Sequence, residues 1–571
     1  MRRMVVLVVI AALGAACGGD RPAGAAASSD PFCQEVLPAV DAFMAEARDR
    51  YPTPDDERYG GTAVVGAGAE LPFGMNAAVV QDYGSAQHHQ FVNLMTLVDY
   101  DEQFDPRPYL AESWEVAPDT TSVTFHIRRD VFWHDGEPTD AHDVAFTYRT
   151  VTDPATGFPN STYWDHYVKG PDGVEVVDDF TVVIRLRPHS EFLDAWRAVG
   201  IMPEHLLGDV APETLRQHPF GTQCPVGNGP FVFVSHTPQQ QWVFDANPAF
   251  PAALGGRPFL DRYVYRAIPD QTTLLTELLT ENIDLYLQPT PDQAESIIEN
   301  PDTELVRFLG RDYVFIAWNS RRPHLADARV RRAITMGTNR EEIVEVIQRG
   351  YGTVANSTIP PFHWAFDPDP ATAVAYDPEG ARALLDEAGW RDRDGDGVRE
   401  NADGAALSIS IKYHPGNQRR QDMVGAMQAQ LADVGIEVRQ QVVEWNTLLG
   451  QIMDPETRDF DGFVMGLSVD FRLDDAGLFH SERSEEPLAW AGTSNRQIDR
   501  LLEELSRATD REAAMPLWAE YQKAIAREQP YTFFYFAERM SGVNERLQDV
   551  IMDARGEWVN IRNWYIDPAA R

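Results

Sequence analysis

One stretch of the chain, residues 407–442, limits the possible folds more than any other. It begins with LSISIKY, in which apolar and polar residues alternate as they do in a half-buried strand. A helical pattern follows, and after Gly435 comes a second strand pattern, IEVRQQVV. A strand, a helix and a strand joined by short turns form a βαβ unit, so the two strands are predicted to be parallel. The apolar run at 459–470 is predicted to be their neighbour in the sheet.

The rest of the chain fits the same mixed class. Between about residues 60 and 187 the runs GTAVVGA, SVTFHIRR and TVVIRL have the alternation and composition of strands. Near the C-terminus a helical pattern at about 513–527 precedes the aromatic strand pattern YTFFYFAER. We therefore expect a mixed α/β protein of two lobes with an extra N-terminal subdomain.

Two helices carry clear start signals. YDPEGARALLDEAGW predicts a helix that Asp377 caps, with Pro378 at its first position and Gly389 at its end. TNREEIVEVIQRG predicts a second helix, with Thr338 and Glu341 as a capping box.

The first 17 residues, MRRMVVLVVIAALGAAC, predict export. Two arginines precede an apolar run that is too short to span a bilayer, and small residues precede Cys17. This ending resembles a bacterial lipoprotein box, in which the cysteine is lipidated and becomes the mature N-terminus. Gly14 stands where leucine is usual, so plain secretion with cleavage near Ala16 is the alternative. The low-complexity segment 18–30 suits a flexible tether.

Two cysteines remain in the mature chain, Cys33 and Cys224. Export makes a disulfide permissible, and a bridge would attach the segment around Cys33 to the main body. The alternative is two buried free thiols, and we expect the bridge.

Charge and motifs exclude several classes of function. The chain has 49 Lys+Arg against 88 Asp+Glu, a formal net charge of −39, which disfavours binding to nucleic acid. None of its three lysines lies in a GxxxxGK[ST] loop, so it is not a P-loop NTPase. There is no HExxH motif, and GLSVD lacks the second glycine that a nucleophile elbow needs. We predict no enzymatic activity, with an exported hydrolase as the competing class.

The segment DRDGDGVRENAD matches the calcium-loop template, with acidic residues at positions 1, 3, 5, 9 and 12 and a glycine at position 6. The acidic residues are Asp392, Asp394, Asp396, Glu400 and Asp403. Aspartate at position 12 has a shorter arm than the usual glutamate, which should weaken binding. A hairpin held by side-chain-to-backbone hydrogen bonds fits equally well. In either case the role is structural, and calcium is the one cofactor that the sequence suggests.

Seven blocks of sequence occur in an order that is specific when taken together. They are LAESWEV, VTFHIRRDVFWHDGEPTDAHDVAFTY, MPEHLL, VGNGPFVF, IPDQTT, VFIAWNSRRPHLADARVRRAI and YDPEGARALLDEAGWRDRDGDG. In these blocks the chain resembles the family-5 extracellular solute-binding proteins of ABC transporters, the dipeptide and oligopeptide binders. The resemblance runs from about Asn93 to Asn544; it excludes the residues before about Gly60 and the cysteine pair.

The resemblance implies an α/β, two-lobed periplasmic-binding-protein-like fold of class II, in the large cluster with an extra N-terminal subdomain. Two hinge crossings, placed near 313–320 and 529–539, would join the lobes. The implied divisions are 1–17 as signal peptide, 18–57 as tether and N-terminal extension, 58–313 as lobe 1 with the subdomain, 314–530 as lobe 2, and 531–571 as the return to lobe 1.

The implied function is capture of a small solute by hinge closure and delivery to a membrane permease, without chemistry on the solute. The protein would be a monomer in the bacterial periplasm or on the outer face of the cell membrane. Small peptides are the expected ligands, and nickel chelates, oligosaccharides and opines are the alternatives within the family. The acidic composition favours cationic or zwitterionic ligands.

The resemblance also suggests where a peptide's charged ends would bind. Asp470, at the end of the strand FVMGLSV, matches the aspartate that holds a peptide ammonium in the family. Asp474 stands where proline is common, and the alternative role for Asp470 is that of a loop cap. Family members can place an arginine for the ligand carboxylate on the same strand, but Val464 occupies that neighbourhood. Arg472 is the remaining candidate cation.

Aromatic and histidine side chains complete the predicted site. Trp318, Trp445 and Trp490 are candidate walls, with core packing as the alternative. His88 and His89 fall where the first lobe often meets ligand in the family, and solvated loop histidines are the alternative.

Overall fold

The structure, a computed structural model, describes residues 30–80, 82–158, 168–187, 196, 199–469 and 473–571. The predicted signal peptide, Cys17 and residues 18–29 of the tether lie outside the described residues, as do Asp470 and Arg472. Within the described ranges, no helix combines the length and the apolar composition that crossing a membrane requires.

The elements are numbered in chain order. The strands are β1 (Thr62–Ala67), β2 (Val98–Tyr100), β3 (Pro106–Pro108), β4 (Ala111–Val116), β5 (Ser122–Ile127), β6 (Val174–Asp178), β7 (Thr181–Arg185), β8 (Phe231–Thr237), β9 (Gln241–Ala246), β10 (Arg262–Ala267), β11 (Leu285–Leu287), β12 (Thr303–Trp318), β13 (Gly352–Val354), β14 (Ser408–Tyr413), β15 (Glu437–Val442), β16 (Gly462–Ser468), β17 (Tyr531–Asn544), β18 (Leu547–Gln548) and β19 (Tyr565–Ile566). The helices are α1 (Pro31–Arg50), α2 (Tyr83–Phe91), α3 (Ala141–Thr152), α4 (Glu204–Leu207), α5 (Gln271–Leu279), α6 (Pro291–Glu299), α7 (Ala328–Met336), α8 (Arg340–Glu342), α9 (Pro378–Glu387), α10 (Gln418–Ala432), α11 (Trp445–Met453), α12 (Ala476–Phe479), α13 (Arg496–Leu505) and α14 (Arg511–Glu528).

Two lobes share one long sheet, with strand order β15-β14-β16-β12-β17-β11-β1-β10-β9-β8 and β13 paired with β17. Lobe 1 contains β1 to β11 and the C-terminal segment after β17, and lobe 2 contains β13 to β16 with their helices. The antiparallel strands β12 and β17 run through both lobes. Their register shifts between Leu309 and Tyr313 and again between Val314 and Phe315, and we take the first of these irregularities as the junction between the lobes. The predicted two-lobed α/β architecture with two crossings is confirmed.

The N-terminal extension is a helix that packs on lobe 1. The Asp30 carboxylate caps α1 by accepting the Phe32 N–H at 2.9 Å. The buried face of α1 packs into the hydrophobic core of the extra subdomain. A second sheet, of strand order β4-β5-β7-β6, forms this subdomain. Cys33 and Cys224 form a disulfide with a Cα–Cα distance of 5.5 Å. The predicted bridge is therefore present, and it attaches α1 to lobe 1.

Lobe 2 contains the predicted βαβ unit. Strand β14 pairs in parallel with β15, and on its other side with β16, as expected for the run at 459–470. Helix α10 covers these strands and buries four apolar side chains, Met423, Val424, Met427 and Leu431. The apolar faces of the strands and the apolar stripe of the helix therefore pack together into one continuous core.

One predicted cap is confirmed and one is wrong. The Asp377 carboxylate accepts the Gly380 N–H at 2.8 Å at the start of α9. Thr338 does not cap α8, because its hydroxyl donates to the Ile334 carbonyl of the preceding helix at 2.8 Å. Asn339 caps α8 instead, by accepting the Glu342 N–H.

The strand directions bring the two lobes' parallel strands end to end. Leu287, the last residue of β11, pairs with Ser541 on the stretch of β17 that approaches the junction from lobe 1. Ser468, the last residue of β16, pairs with Asp312 at the junction from the side of lobe 2. The carboxyl ends of both sets of parallel strands therefore face the junction, the usual location of ligand sites in α/β sheets.

Candidate functional site

A partly buried charged cluster lies at the junction between the lobes. Arg539 of β17 donates from Nη2 to Asp312 of β12 at 2.8 Å and from Nη1 to Glu557 at 3.1 Å. Tyr83, the first residue of α2, donates to the other Glu557 oxygen at 2.5 Å, and its ring centroid lies 3.9 Å from the Arg539 guanidinium carbon. Burial by itself lowers the pKa of Arg539, but Tyr83 and the two carboxylates outweigh it and raise the pKa above its usual value. The cluster therefore ties both crossing strands to lobe 1.

No sequence pattern pointed to this cluster. Asp312 and Arg539 are 227 positions apart, and Tyr83 and Glu557 are 474 apart. Only the pairing of β12 with β17, and the packing of α2 against the C-terminal segment, brings the four side chains together.

A second contact joins the lobes away from the crossing strands. Arg511, the first residue of α14 in lobe 2, donates to the Asp105 carboxylate at 2.8 Å and to the Phe104 carbonyl at 3.0 Å in lobe 1. The Phe104 ring packs on Phe362 of lobe 2 with centroids 5.6 Å apart. The Arg511 guanidinium also lies over the Trp364 ring at 5.4 Å. These contacts hold the two lobes together across the cleft.

A third interlobe pair lies near α6. Arg349 of lobe 2 contacts Asp292 of lobe 1 at 2.6 Å, with both side chains at least half exposed. Solvent screens such a pair, so it contributes little to holding the lobes together.

A cavity of about 260 Å³ lies between the lobes beside β17. Its walls come from lobe 1, from the junction and from lobe 2, and include Gln288, Thr290, Asp312, Arg539, Gln348, Tyr351 and Arg419. The cavity therefore sits where the opposed strand ends meet.

Trp445 is the one exposed residue among the three predicted tryptophans. It begins α11 directly after β15, its side chain is 39% exposed, and its ring meets that of His414 at 5.3 Å. His414 directly follows β14. Both rings therefore lie at the carboxyl ends of lobe 2 strands, and a ligand contact by Trp445 stays a prediction.

The other predicted tryptophans belong to the core of lobe 2, which corrects their assignment as site walls. Trp318 has no exposed surface, and its Nε1–H donates to Thr532 at 3.0 Å. Trp490 is 1% exposed and packs against Phe315 and Phe463. The large apolar side chains of both residues fill the core and do not face a ligand.

His88 and His89 are also corrected, because both lie in the core of lobe 1 on α2. Nδ1 of His88 donates to the Gly84 carbonyl at 2.7 Å, and Nε2 accepts from the Tyr263 hydroxyl at 2.9 Å. His89 donates to the Gly74 carbonyl at 2.8 Å. Burial lowers the pKa of His88 to about 3 and that of His89 to about 4, so both are neutral. Neither side chain presents surface to a ligand.

The strand that leads to Asp470 ends at the junction. The Val469 N–H donates to the Arg311 carbonyl at 3.0 Å, and its carbonyl accepts from the Arg311 side chain at 3.3 Å. Past the undescribed residues, Asp475 is buried and accepts hydrogen bonds from Thr358 and Tyr521, each at 2.6 Å. Burial raises the pKa of Asp475 to about 6.

The predicted calcium loop lies between α9 and β14. Four of its five acidic residues, Asp392, Asp394, Asp396 and Glu400, offer oxygens that all lie within 4.8 Å of one another, and Asp403 is not among them. The same carboxylates accept backbone N–H groups, including that of Gly395 at 2.7 Å from Asp392. The oxygens suit a hard cation, and the hydrogen bonds suit a bare hairpin, so both interpretations stay open.

Comparisons with known proteins agree with this geometry. The sequence profile of the family described as bacterial extracellular solute-binding proteins, family 5 Middle, matches residues 105–486. The oligopeptide-binding protein AppA of Bacillus subtilis is 30% identical over 511 residues, which cover 89% of this chain and 92% of the relative. The dipeptide-binding protein of Escherichia coli is 27% identical over 478 residues, covering 79% and 84%. The solved structure of B. subtilis AppA in complex with a nonapeptide superimposes with a TM-score of 0.72 at 29% identity, covering 89% of this chain and 99% of that one.

Proposed function

Because this chain belongs to the bacterial extracellular solute-binding proteins of family 5, we propose that it is the substrate-binding component of an ABC import system for small peptides. The lobes close on the peptide by hinge rotation, and the closed form delivers it to a membrane permease. One observation carries the mechanism: the parallel strands of both lobes end at a junction that, among the strands of the described ranges, only β12 and β17 cross. Such a junction can bend while each lobe stays rigid.

Peptides are favoured as ligands by the relatives that are bound to them or named for them. The backbone of an extended peptide pairs with strand-like segments, which gives affinity that does not depend on side-chain identity. The protein changes no covalent bond of the ligand, and it works as a monomer.

Native mass spectrometry of the protein purified without refolding tests the proposal. We expect intact peptides of mixed sequence and common length to be released from the cleft. If a nickel chelate, an oligosaccharide or an opine is recovered, that solute is the ligand and the assignment of a peptide is wrong. Cleavage of an added peptide library would contradict a pure binding function.

Asp470 is proposed to bind the peptide ammonium, since it follows the strand that ends at the junction. Asp470→Ala should abolish peptide binding in isothermal titration calorimetry and barely change the melting temperature of the ligand-free protein. Asp422→Ala, at an exposed position of α10 in the same lobe, is the matched control. Unchanged affinity in the Asp470 variant would remove this residue from the site.

Cys17 is proposed to carry a lipid that anchors the exported protein to the outer face of a bacterial membrane. The mass of the mature N-terminus measures the modification, and Cys17→Ser should release the protein from the membrane fraction. A mature chain cleaved near Ala16 that carries no lipid would establish plain secretion.

The acidic loop is proposed to hold a structural calcium ion. A chelator should then lower the melting temperature of the wild-type protein and leave that of Asp392→Asn unchanged. Equal melting with and without the chelator in the wild type would establish the bare hairpin.

A further inference from the structure

The tip of the β2–β3 hairpin holds Phe104 in a strained backbone conformation. Its φ of 63° lies in the left-handed region, which glycine and asparagine tolerate and which an aromatic residue rarely adopts. The turn is built inside lobe 1. The Asp101 carboxylate accepts the Gln103 and Asp105 N–H groups, each at 2.9 Å, and the Asp101 carbonyl accepts the Phe104 N–H at 3.1 Å. The shape of the tip therefore comes from lobe 1 itself.

The base of the hairpin is anchored in lobe 1 as well. Arg555 is 5% exposed and donates from Nη1 to the carbonyl of Tyr100, the last residue of β2, at 2.8 Å. The same guanidinium donates from Nε to the Asp553 carboxylate at 3.0 Å. A side chain whose support is held by buried hydrogen bonds keeps a fixed position. The Phe104 ring is therefore presented by lobe 1 in a preset place.

The Phe104 ring is buried between the two lobes. It is 6% exposed and belongs to one apolar cluster with Ala554 of lobe 1 and Phe362 of lobe 2, and the two phenylalanine centroids are 5.6 Å apart. The carbonyl of the same residue accepts from Arg511 of lobe 2 at 3.0 Å. Separation of the lobes would expose this ring to water, which is unfavourable for an apolar surface.

The lobe 2 side of the contact is also held in place. We call Phe362, Trp364 and Arg511 the socket. The Arg511 guanidinium carbon lies 5.4 Å from the centre of the Trp364 ring. The loop that carries both aromatic residues is tied to α14, because Gln522, 1% exposed, donates to the Ala365 carbonyl at 2.9 Å. The same helix supplies Arg511, so the socket and α14 move together.

We propose that Phe104 is a preformed latch, which inserts into the socket when the lobes close and sets how long they stay closed. The inference rests on the proposed function, because it assumes closure by hinge rotation. It deepens that function by naming the contact that controls release of the ligand. The strain supports this role: glycine or asparagine would form the same turn at lower cost, so a phenylalanine is explained by what its ring contacts.

Single-molecule fluorescence energy transfer measures the dwell time of the closed form. The dyes are attached at Glu112→Cys in lobe 1 and Arg439→Cys in lobe 2, both exposed positions, in a Cys17→Ser background. The probe is a saturating library of synthetic peptides of two to nine residues with randomised sequence and free termini. Phe104→Asn keeps the left-handed turn and removes the ring. Its closed dwell time should fall at least about tenfold, as expected for the loss of a buried aromatic ring, and its open dwell time should change by less than about twofold.

Two comparisons separate a latch from general destabilisation. Phe180→Asn, in the turn between β6 and β7 of the extra subdomain, removes a partly buried ring that lies beneath the Arg129 guanidinium of lobe 1, and it should leave the closed dwell time unchanged. Phe362→Ala removes the partner of the latch and should shorten the dwell time as Phe104→Asn does. Because the two rings act as one contact, the double variant should close for no shorter a time than either single variant.

The outcomes distinguish the latch from the proposed function. If the wild-type protein shows no closed form with the peptide library, hinge closure on peptides fails and the latch fails with it. If the wild type closes and Phe104→Asn keeps its dwell time within about twofold, the proposed function stands and the latch is overturned. If Phe104→Asn does not fold, as judged by its melting transition, Phe362→Ala decides by the same dwell time.

Discussion

Arg511→Ala should weaken ligand binding, because we expect the contacts of Arg511 to join the lobes only in their closed form. Its guanidinium donates to the Asp105 carboxylate at 2.8 Å and to the Phe104 carbonyl at 3.0 Å. Hinge opening separates α14 from lobe 1 and breaks both bonds. A variant without these bonds has a less stable closed form and an unchanged open form. Part of the binding free energy of the ligand is then used to close the lobes, so the measured affinity falls.

The size of the effect follows from exposure and bond type. The Arg511 and Asp105 side chains are 26% and 63% exposed, so their ion pair contributes about 0.5 kcal/mol. The bond from the guanidinium to the Phe104 carbonyl adds about 1 kcal/mol. A total of about 1.5 kcal/mol corresponds to roughly a tenfold increase in Kd.

Calorimetry measures the Kd, and small-angle scattering of the ligand-free protein measures the shift toward the open form. Arg500→Ala is the matched control, since Arg500 is 65% exposed and pairs within its own helix with Glu504. The reasoning is refuted if Arg511→Ala binds ligand within about twofold of the wild type, or if the control weakens binding equally.

Two further predictions concern stability. Replacing Cys33 and Cys224 by alanine should lower the free energy of unfolding by up to about 5 kcal/mol, because the bridge closes a loop with a sequence separation of 191. Denaturant titration measures this loss. Calorimetry should show an unchanged Kd for the ligand. Burial raises the pKa of Asp475 from 3.8 to about 6, so its contribution to stability is complete below about pH 3.8 and is lost as the pH rises through 6. Asp475→Asn should therefore remove about 3 kcal/mol of pH dependence from denaturant melts between pH 3.8 and 8, and an unchanged pH profile would show that the carboxyl titrates normally.

Local patterns in the sequence predicted the framework of the protein. The alternation in LSISIKY and IEVRQQVV, with an apolar helical stripe between them, was sufficient for the parallel β14–β15 pair. The Asp377 cap of α9 could be predicted because its hydrogen-bond donor, the Gly380 N–H, belongs to the same helix. The Thr338 prediction is wrong because Thr338 and its neighbour Asn339 can both cap a helix, and Asn339 does so. The Thr338 hydroxyl donates to a carbonyl of the preceding helix instead.

Tertiary structure decided the site. The arginines of the junction have no local signature, and Arg539 acquires its partners only when β12, β17 and the C-terminal segment pack together. Residue type did not separate the exposed Trp445 from the buried Trp318, because both are large apolar side chains and only packing determines which one faces solvent. Hydrogen-bonding periodicity acts over a few residues and can be read along the chain. Burial and charge pairing act between residues hundreds of positions apart, so they exist only once the chain has folded.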